Sequence, residues 1–185
     1  MEMEIFNGRP ADAAGRDDVE LRCYDLLERL GIEFIRTDHA PADTMEICKD
    51  IDAVLDCLIC KNLFLCNRQQ TVFYLLLMPG DKPFKTKELS AQLGVSRLSF
   101  GSAQFMEQFL SLLPGSVSVM GLMNDSEQRV RLVIDEDVLK EEYFACHPCR
   151  NTSSIRFKTA DLNEKLIPAL GHAPTVVHLI GEEAQ

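Results

Sequence analysis

The pattern of apolar and polar positions is most informative over Leu58-Ile59-Cys60-Lys61-Asn62-Leu63-Phe64-Leu65. Successive side chains of a strand point to opposite faces. Leu58, Cys60, Asn62, Phe64 and Cys66 then share one face, and Ile59, Lys61, Leu63 and Leu65 the other. Lys61 thus stands in line with aliphatic residues. An edge-strand lysine that snorkels to water or guards against aggregation gives this pattern. So does an ammonium at the mouth of an apolar pocket, aimed at an anion or a polar ligand group. Thr71 to Met78 is apolar on both faces, which predicts an interior strand.

Residues 1–16 are a weakly patterned lead-in to a single domain over residues 17–180. Asp17 and Glu20 have capping-box spacing, and Val19, Cys23, Leu26, Leu27 and Leu30 make the apolar stripe of a helix. Gly31 ends it. Ile32 to Arg36 reads as a short strand and Asp38-His39-Ala40-Pro41 as a turn. Thr44 caps a helix over Met45 to about Ala53. Asn67 to Gln70 is a hairpin loop, and Pro79 to Pro83 a break. Thr86 caps a helix ending at Leu93-Gly94, and Leu98 to Phe100 is a strand. Ser102 caps a helix through Phe105, Met106, Phe109 and Leu113, stopped by Pro114-Gly115. Ser116 to Met120 and Arg129 to Ile134 read as strands around an Asn124-Asp125 turn. A short helix over Glu136 to Lys140 precedes Tyr143-Phe144-Ala145. Thr152 to Phe157 and Thr175 to Leu179 are strands flanking a helix over Asp161 to Leu170. Several neighbouring strands are hairpin-linked. The expected class is α/β (α+β): a mixed, mostly antiparallel sheet or partial barrel with surrounding helices.

A formal net charge of -10 argues against counterion-driven binding to long nucleic acid, DNA included. It leaves room for a short contact with an RNA end. The first residues lack a basic segment followed by an apolar stretch, so no secretory signal is expected. The longest apolar run, Val72 to Met78, is far short of the roughly 18–20 residues that span a bilayer. A cytoplasmic location and no membrane partner are the expectations. The cysteine count of 7 is odd, and Cys57, Cys60 and Cys66 lie in apolar runs, which favours buried free thiols. Cys57-x-x-Cys60 and Cys146-x-x-Cys149 suggest zinc only superficially. The pairs are much farther apart than the roughly 15–20 residues of a zinc ribbon, so no metal is expected. No Ser-His-Asp order, phosphate loop or dinucleotide fingerprint occurs. Basic residues cluster at Lys82, Lys85 and Lys87, and at Arg150, Arg156 and Lys158. Either group could contact RNA phosphates. His147 sits before a proline in a loop with Arg150 and Asn151, a placement that suits function. A hydrogen-bonded structural histidine is the plainer reading.

Four stretches in order resemble the prolyl-tRNA editing family. This is the YbaK-type domain also found inserted in, or associated with, prolyl-tRNA synthetases. They are Cys60-Lys61-Asn62-Leu63-Phe64-Leu65, Leu93 to Phe100, Pro114-Gly115-Ser116-Val117-Ser118 with Gly121 to Asp125, and His147-Pro148-x-x-Asn151-Thr152 running to Leu162. The branch most similar is the free-standing deacylase that clears alanine mischarged onto proline tRNA. The resemblance implies hydrolysis of the ester on the tRNA 3′-terminal adenosine, without metal or cofactor. It implies a catalytic set of Lys61, Asn62 and His147. It also implies a substrate and oxyanion loop of Gly115, Ser116 and Val117, with Gly121 and Asn151. Lys61 is then a positioning and electrostatic group, since as a general base its pKa would have to fall by several units. The partner is the 3′ end of aminoacyl-tRNA, with prolyl-tRNA synthetase as a second candidate. Cysteinyl-tRNA is the competing substrate, and a non-catalytic tRNA-end or synthetase-docking module the competing function. The family usually has proline, often followed by phenylalanine, at the end of the glycine loop. Val119-Met120 stand there instead, which frees φ and adds a backbone donor.

Overall fold

The structure is a computed structural model and describes residues 3–181. Its strands form two sheets. The first is four-stranded, in the order β1-β2-β8-β7, from Phe6–Asn7 (β1), Phe34–Asp38 (β2), Tyr143–Cys146 (β7) and Ser153–Lys158 (β8). All its pairings are antiparallel. The second is five-stranded, in the order β5-β3-β4-β6-β9, from Lys61–Cys66 (β3), Phe73–Met78 (β4), Ser99–Phe100 (β5), Val130–Asp135 (β6) and Thr175–Val177 (β9). Here β5, β3 and β4 are antiparallel, while β6 and β9 run parallel to β4. The first sheet is antiparallel and the second mixed, and neither closes into a barrel. They meet just before β3, where Ile59 bridges Ala145 and the Cys60 N–H donates to the Ala145 carbonyl at 3.0 Å. Gly80 makes that junction possible. A Cβ there would collide with the Ile59 carbonyl oxygen.

The strand parity predicted for β3 is the parity observed. Phe64 and Cys66 enter the main core, while Leu65 and Leu63 pack in a second cluster with Leu89 and Leu179. In β4, Phe73, Leu75 and Leu77 face the first core and Tyr74, Leu76 and Met78 the second. Burial on both sides explains why this strand carries no polar position. The predicted strand reaches back to Leu58, but the observed ladder starts at Lys61.

Helices Asp18–Arg29 (α1) and Ala103–Leu110 (α4) press Val19, Cys23, Leu27, Met106 and Phe109 into the main core. Helix Met45–Leu55 (α2) covers the first sheet with Ile51 and Leu55. Helix Thr86–Leu93 (α3) covers the second, and Glu136–Lys140 (α5) follows β6. The last helical run is Thr159–Asp161 (α6), a π turn at Leu162–Leu166 and Ile167–Leu170 (α7).

Local chemistry explains both the predicted caps that form and those that do not. Thr44 and Ser102 cap α2 and α4 through the N–H groups of Ile47 and Phe105. The Asp17 and Glu20 capping box does not form. Asp17 instead binds Arg150, and Glu20 turns inward to Arg16 at 2.6 Å and the Tyr24 hydroxyl at 2.7 Å. Thr86 is the first residue of α3, with Lys85 at the cap position. Helix α4 stops at Leu110 because Ser111 takes a left-handed conformation, φ 55°. The strand expected over Ser116 to Met120 is absent. Ser116 closes onto the backbone of Leu113. Ser118 accepts from the Met120 N–H and caps a 3-10 helix, Val119–Asn124. In the expected lead-in, Phe6 and Asn7 pair with β2.

Candidate active site

The glycine loop is closed at its start by the Ser116 N–H, which donates to the Leu113 carbonyl at 3.0 Å, and held at its end by Asn62. At its start Gly115 has φ +85°, and a Cβ there would lie 3.4 Å from Asn151 Nδ2. Asn151 in turn donates to Asp43 Oδ1 at 3.0 Å, and the Ala42 N–H donates to the Asn151 carbonyl at 3.0 Å. In the middle, the buried Ser118 hydroxyl accepts from the Met120 N–H at 3.2 Å. At its end the Val119 N–H donates to Asn62 Oδ1 at 3.0 Å, and Asn62 Nδ2 donates to the Cys60 carbonyl at 2.8 Å. Gly115 and Asn151 are thus neighbours at the start of the loop and Asn62 holds its end, while the partners of His147 are Ser153 and Ser154. Ser116 and Gly121 serve the shape of the loop. The Ser116 N–H is taken by the Leu113 carbonyl, and Gly121 is buried against Leu112 and Leu110.

Two N–H groups of the loop are thus occupied, at Ser116 and Val119. Among the described residues, those of Gly115, Val117 and Ser118 have no protein acceptor. Unclaimed N–H groups on a constrained turn are what stabilises an oxyanion during acyl transfer.

Lys61 lies on the other side of the sheet from Asn62, as the alternation of a strand requires. Its half-buried amine donates to the Lys82 carbonyl at 2.6 Å. Among the described residues no carboxylate lies within ion-pair distance of it. The charge is therefore uncompensated and available to an anion. Lys82 is itself clamped by Asp135 Oδ2 at 2.6 Å, Asp137 Oδ2 at 2.7 Å and the Leu179 carbonyl at 2.7 Å. Arg150 is engaged with Asp17 and the Cys149 carbonyl. Arg156 donates to the Leu55 carbonyl and lies over Tyr143. These three members of the basic clusters are committed inside the protein.

His147 is held by the Ser153 carbonyl, 2.9 Å from Nδ1, and by Ser154 Oγ at 3.1 Å. Burial pushes its pKa below the ordinary histidine value. The Ser153 carbonyl opposes that shift, and His39 adds to it. His39 contacts the same Ser154 hydroxyl at 2.8 Å, and burial lowers its pKa too. Behind them Ser153 donates to Asp38, which Arg16 and Arg36 also bind. Burial alone would raise the Asp38 carboxyl, but those donors outweigh it and hold it at about 2. Sequence reasoning missed His39, Asp43 and Ser154, and the one trace was His39 in a polar turn, Asp38-His39-Ala40-Pro41.

The thiols are free. Cys60 donates to the Met78 carbonyl at 3.0 Å, and Cys23 lies against Cys149, with sulfurs 3.4 Å apart.

Backbone N–H groups without a protein acceptor among the described residues, on a turn held at its end by Asn62, are suited to polarising the carbonyl of an acyl group. The fold matches that of a solved structure described as a candidate trans-editing enzyme for prolyl tRNA synthetase, with a TM-score of 0.64 at 14% identity, over 88% of this chain and 98% of that one. The family profile of the aminoacyl-tRNA editing domain matches residues 39–165, and the chain belongs to that family. It is an aminoacyl-tRNA hydrolase, and aminoacyl-tRNA is its substrate class. A curated relative from Acetoanaerobium sticklandii, prolyl-tRNA editing protein ProX, is 31% identical over 153 residues, covering 83% of this chain and 93% of the relative. The Danio rerio prolyl-tRNA synthetase associated domain-containing protein 1 is 27% identical over 162 residues, covering 86% and 87%. Among the described residues no helix is long and apolar enough to cross a membrane.

Proposed function

We propose that the chain removes alanine mischarged onto proline tRNA, acting in trans, with Lys61, Asn62 and His147 as its catalytic set. The observation that carries this reading is the glycine loop, whose Val117 and Ser118 N–H groups have no acceptor among the described residues while Ser116 closes its start onto Leu113 and Asn62 holds its end. The name of the 31% identical relative supports proline tRNA as the carrier. Similarity to the alanine-clearing branch supports alanine as the residue.

An ester needs little help for its leaving group, so polarising the carbonyl is the main demand. Loss of one oxyanion donor elsewhere costs about 10²–10³ in rate. The Val117 and Ser118 N–H groups supply that polarisation here. Asn62 keeps the loop in place by accepting from Val119. Lys61 supplies positive charge at the end of β3 for the phosphate of the terminal nucleotide. His147, neutral near pH 7, orients the aminoacyl group.

The test is single-turnover deacylation of tRNA for proline charged with alanine, cysteine or proline. Alanine is expected to leave fastest and proline to stay. Lys61→Ala is expected to lose about 10²-fold in rate, comparable to one lost electrostatic contact in an acyl-transfer site. Faster release of cysteine selects cysteinyl-tRNA as the substrate. Binding without turnover of any of the three refutes deacylation of proline tRNA and leaves a docking role, for which prolyl-tRNA synthetase is the partner to try.

A further inference from the structure

Two histidines from distant parts of the chain face one hydroxyl. His39 follows β2, His147 follows β7, and Ser154 lies on β8 between those strands. Ser154 is fully buried. Its Oγ is 2.8 Å from His39 Nε2 and 3.1 Å from His147 Nδ1. The ring centroids are 6.0 Å apart.

The flanking contacts fix where the protons sit. A carbonyl oxygen only accepts, and a neutral imidazole carries one proton. His39 Nδ1 is 2.8 Å from the Ala40 carbonyl, so Nδ1 bears the proton and Nε2 accepts. His147 Nδ1 is 2.9 Å from the Ser153 carbonyl, so again Nδ1 bears the proton. A hydroxyl donates once and accepts through its lone pairs. Ser154 therefore donates to His39 Nε2 and accepts from His147 Nδ1, which it shares with Ser153. With both rings neutral, this arrangement gives every one of these nitrogens a partner of the right kind.

We propose that His39 and Ser154 are positioning residues of the site. By taking the Ser154 proton, His39 holds His147 in the tautomer protonated on Nδ1 and leaves His147 Nε2 as an acceptor for the ammonium group of the aminoacyl ester. Among the described residues His147 Nε2 has no partner. The ammonium sits one carbon from the ester carbonyl, so anchoring it aims that carbonyl. Without an acceptor at His39, the Ser154 proton is free to turn to His147 Nδ1. That favours the opposite tautomer, whose Nε2–H repels an ammonium. The contact with substrate rests on the function proposed above, whereas the coupling of the three side chains does not.

The experiment uses the full chain labelled with ¹⁵N, reading the His147 tautomer from long-range imidazole correlations beside single-turnover deacylation. The wild type is expected to show His147 protonated on Nδ1 alone. His39→Leu and Ser154→Ala are expected to mix the tautomers and slow deacylation about tenfold, the scale of one hydrogen bond. The double variant should be no slower than the slower single one, since both act through one hydroxyl. His39→Gln, which restores an acceptor, should recover both readouts. A His147 protonated on Nε2 in the wild type overturns the proposal. So does an unchanged tautomer and rate in both single variants. If the wild type deacylates nothing, the functional reading fails, and the tautomer measurement still decides the coupling.

Discussion

Asn62 and Val119 form a contact whose energy can be isolated by a double-variant cycle. Val119 is fully buried, and among the described residues its N–H has Asn62 Oδ1 as its one acceptor. Asn62→Ala orphans that donor and takes the Asn62 amide from the Cys60 carbonyl. A buried unpaired N–H costs about 1–3 kcal/mol, so the variant should lose about 2–3 kcal/mol in all. Val119→Pro removes the donor itself. Its ring Cδ takes the place of the amide hydrogen and so points at Asn62 Oδ1, which lies 3.0 Å from the nitrogen. A proline where the N–H was hydrogen-bonded destabilises by more than the about 0.4–1 kcal/mol that the stiffer unfolded chain returns, so this variant should lose stability while Asn62 is present. In the double variant there is neither an N–H to orphan nor an Asn62 side chain to collide with, so Asn62→Ala should cost at most about 1 kcal/mol there. The coupling is thus at least about 1–2 kcal/mol. Urea unfolding followed by circular dichroism measures it from shifted midpoints at constant slope. Equal costs of Asn62→Ala in both backgrounds, within about 0.5 kcal/mol, would show that the contact does not hold the loop.

Acidification should destabilise the protein in two stages. Burial holds His39 and His147 below their usual pKa, so their contribution is complete above about pH 6.5 and is lost as pH falls through the folded values. Asp38, held at about 2, contributes above about pH 3.9 and loses that as pH drops towards about 2. A thermal midpoint unchanged between pH 8 and 5 would contradict the first stage, which His39→Gln with His147→Gln should flatten. Glu20→Ala should cost about 1–3 kcal/mol in urea unfolding, because it takes the acceptor from the buried Tyr24 hydroxyl while part-buried Arg16 keeps Asp38 and Ser153; a loss below about 0.5 kcal/mol would count against the network. Iodoacetamide at neutral pH should label half-buried Cys48 and Cys57 first, even though burial raises both thiols and takes Cys57 to about 11. Mass-mapped labelling of Cys23, Cys60 or Cys146 ahead of them would refute the packing.

Features set by neighbours in sequence were legible from the chain alone. The alternation from Leu58 to Leu65 assigned Phe64 and Leu65 to different cores, and two-sided burial of β4 followed from its unbroken apolar run. The caps at Thr44 and Ser102 needed only a hydroxyl at the right offset. Features set at long range were not legible. Glu20 gave up its capping role because a buried partner, Tyr24, and the adjacent Arg16 compete for it. Ser116 and Ser118 bind local backbone groups and divert an apparent strand into a turn. The parting of the strands into two sheets depends on the Cys60 contact with Ala145, which no periodicity encodes. In the site, Lys61, Asn62, Gly115 and His147 stood out by resemblance. His39 and Ser154 did not, because a turn and a strand become neighbours only once β2 pairs with β8.

Lys61 and Asn62 are adjacent in the chain, yet one answers to the Lys82 carbonyl and the other to the Val119 amide, across the thickness of the sheet. Lys61 is also the first residue of its strand. A ligand gripped by both must therefore sit astride the leading tip of β3, bent at that point, instead of lying flat along either surface. A short flexible terminus can take that bend, and a stiff duplex cannot.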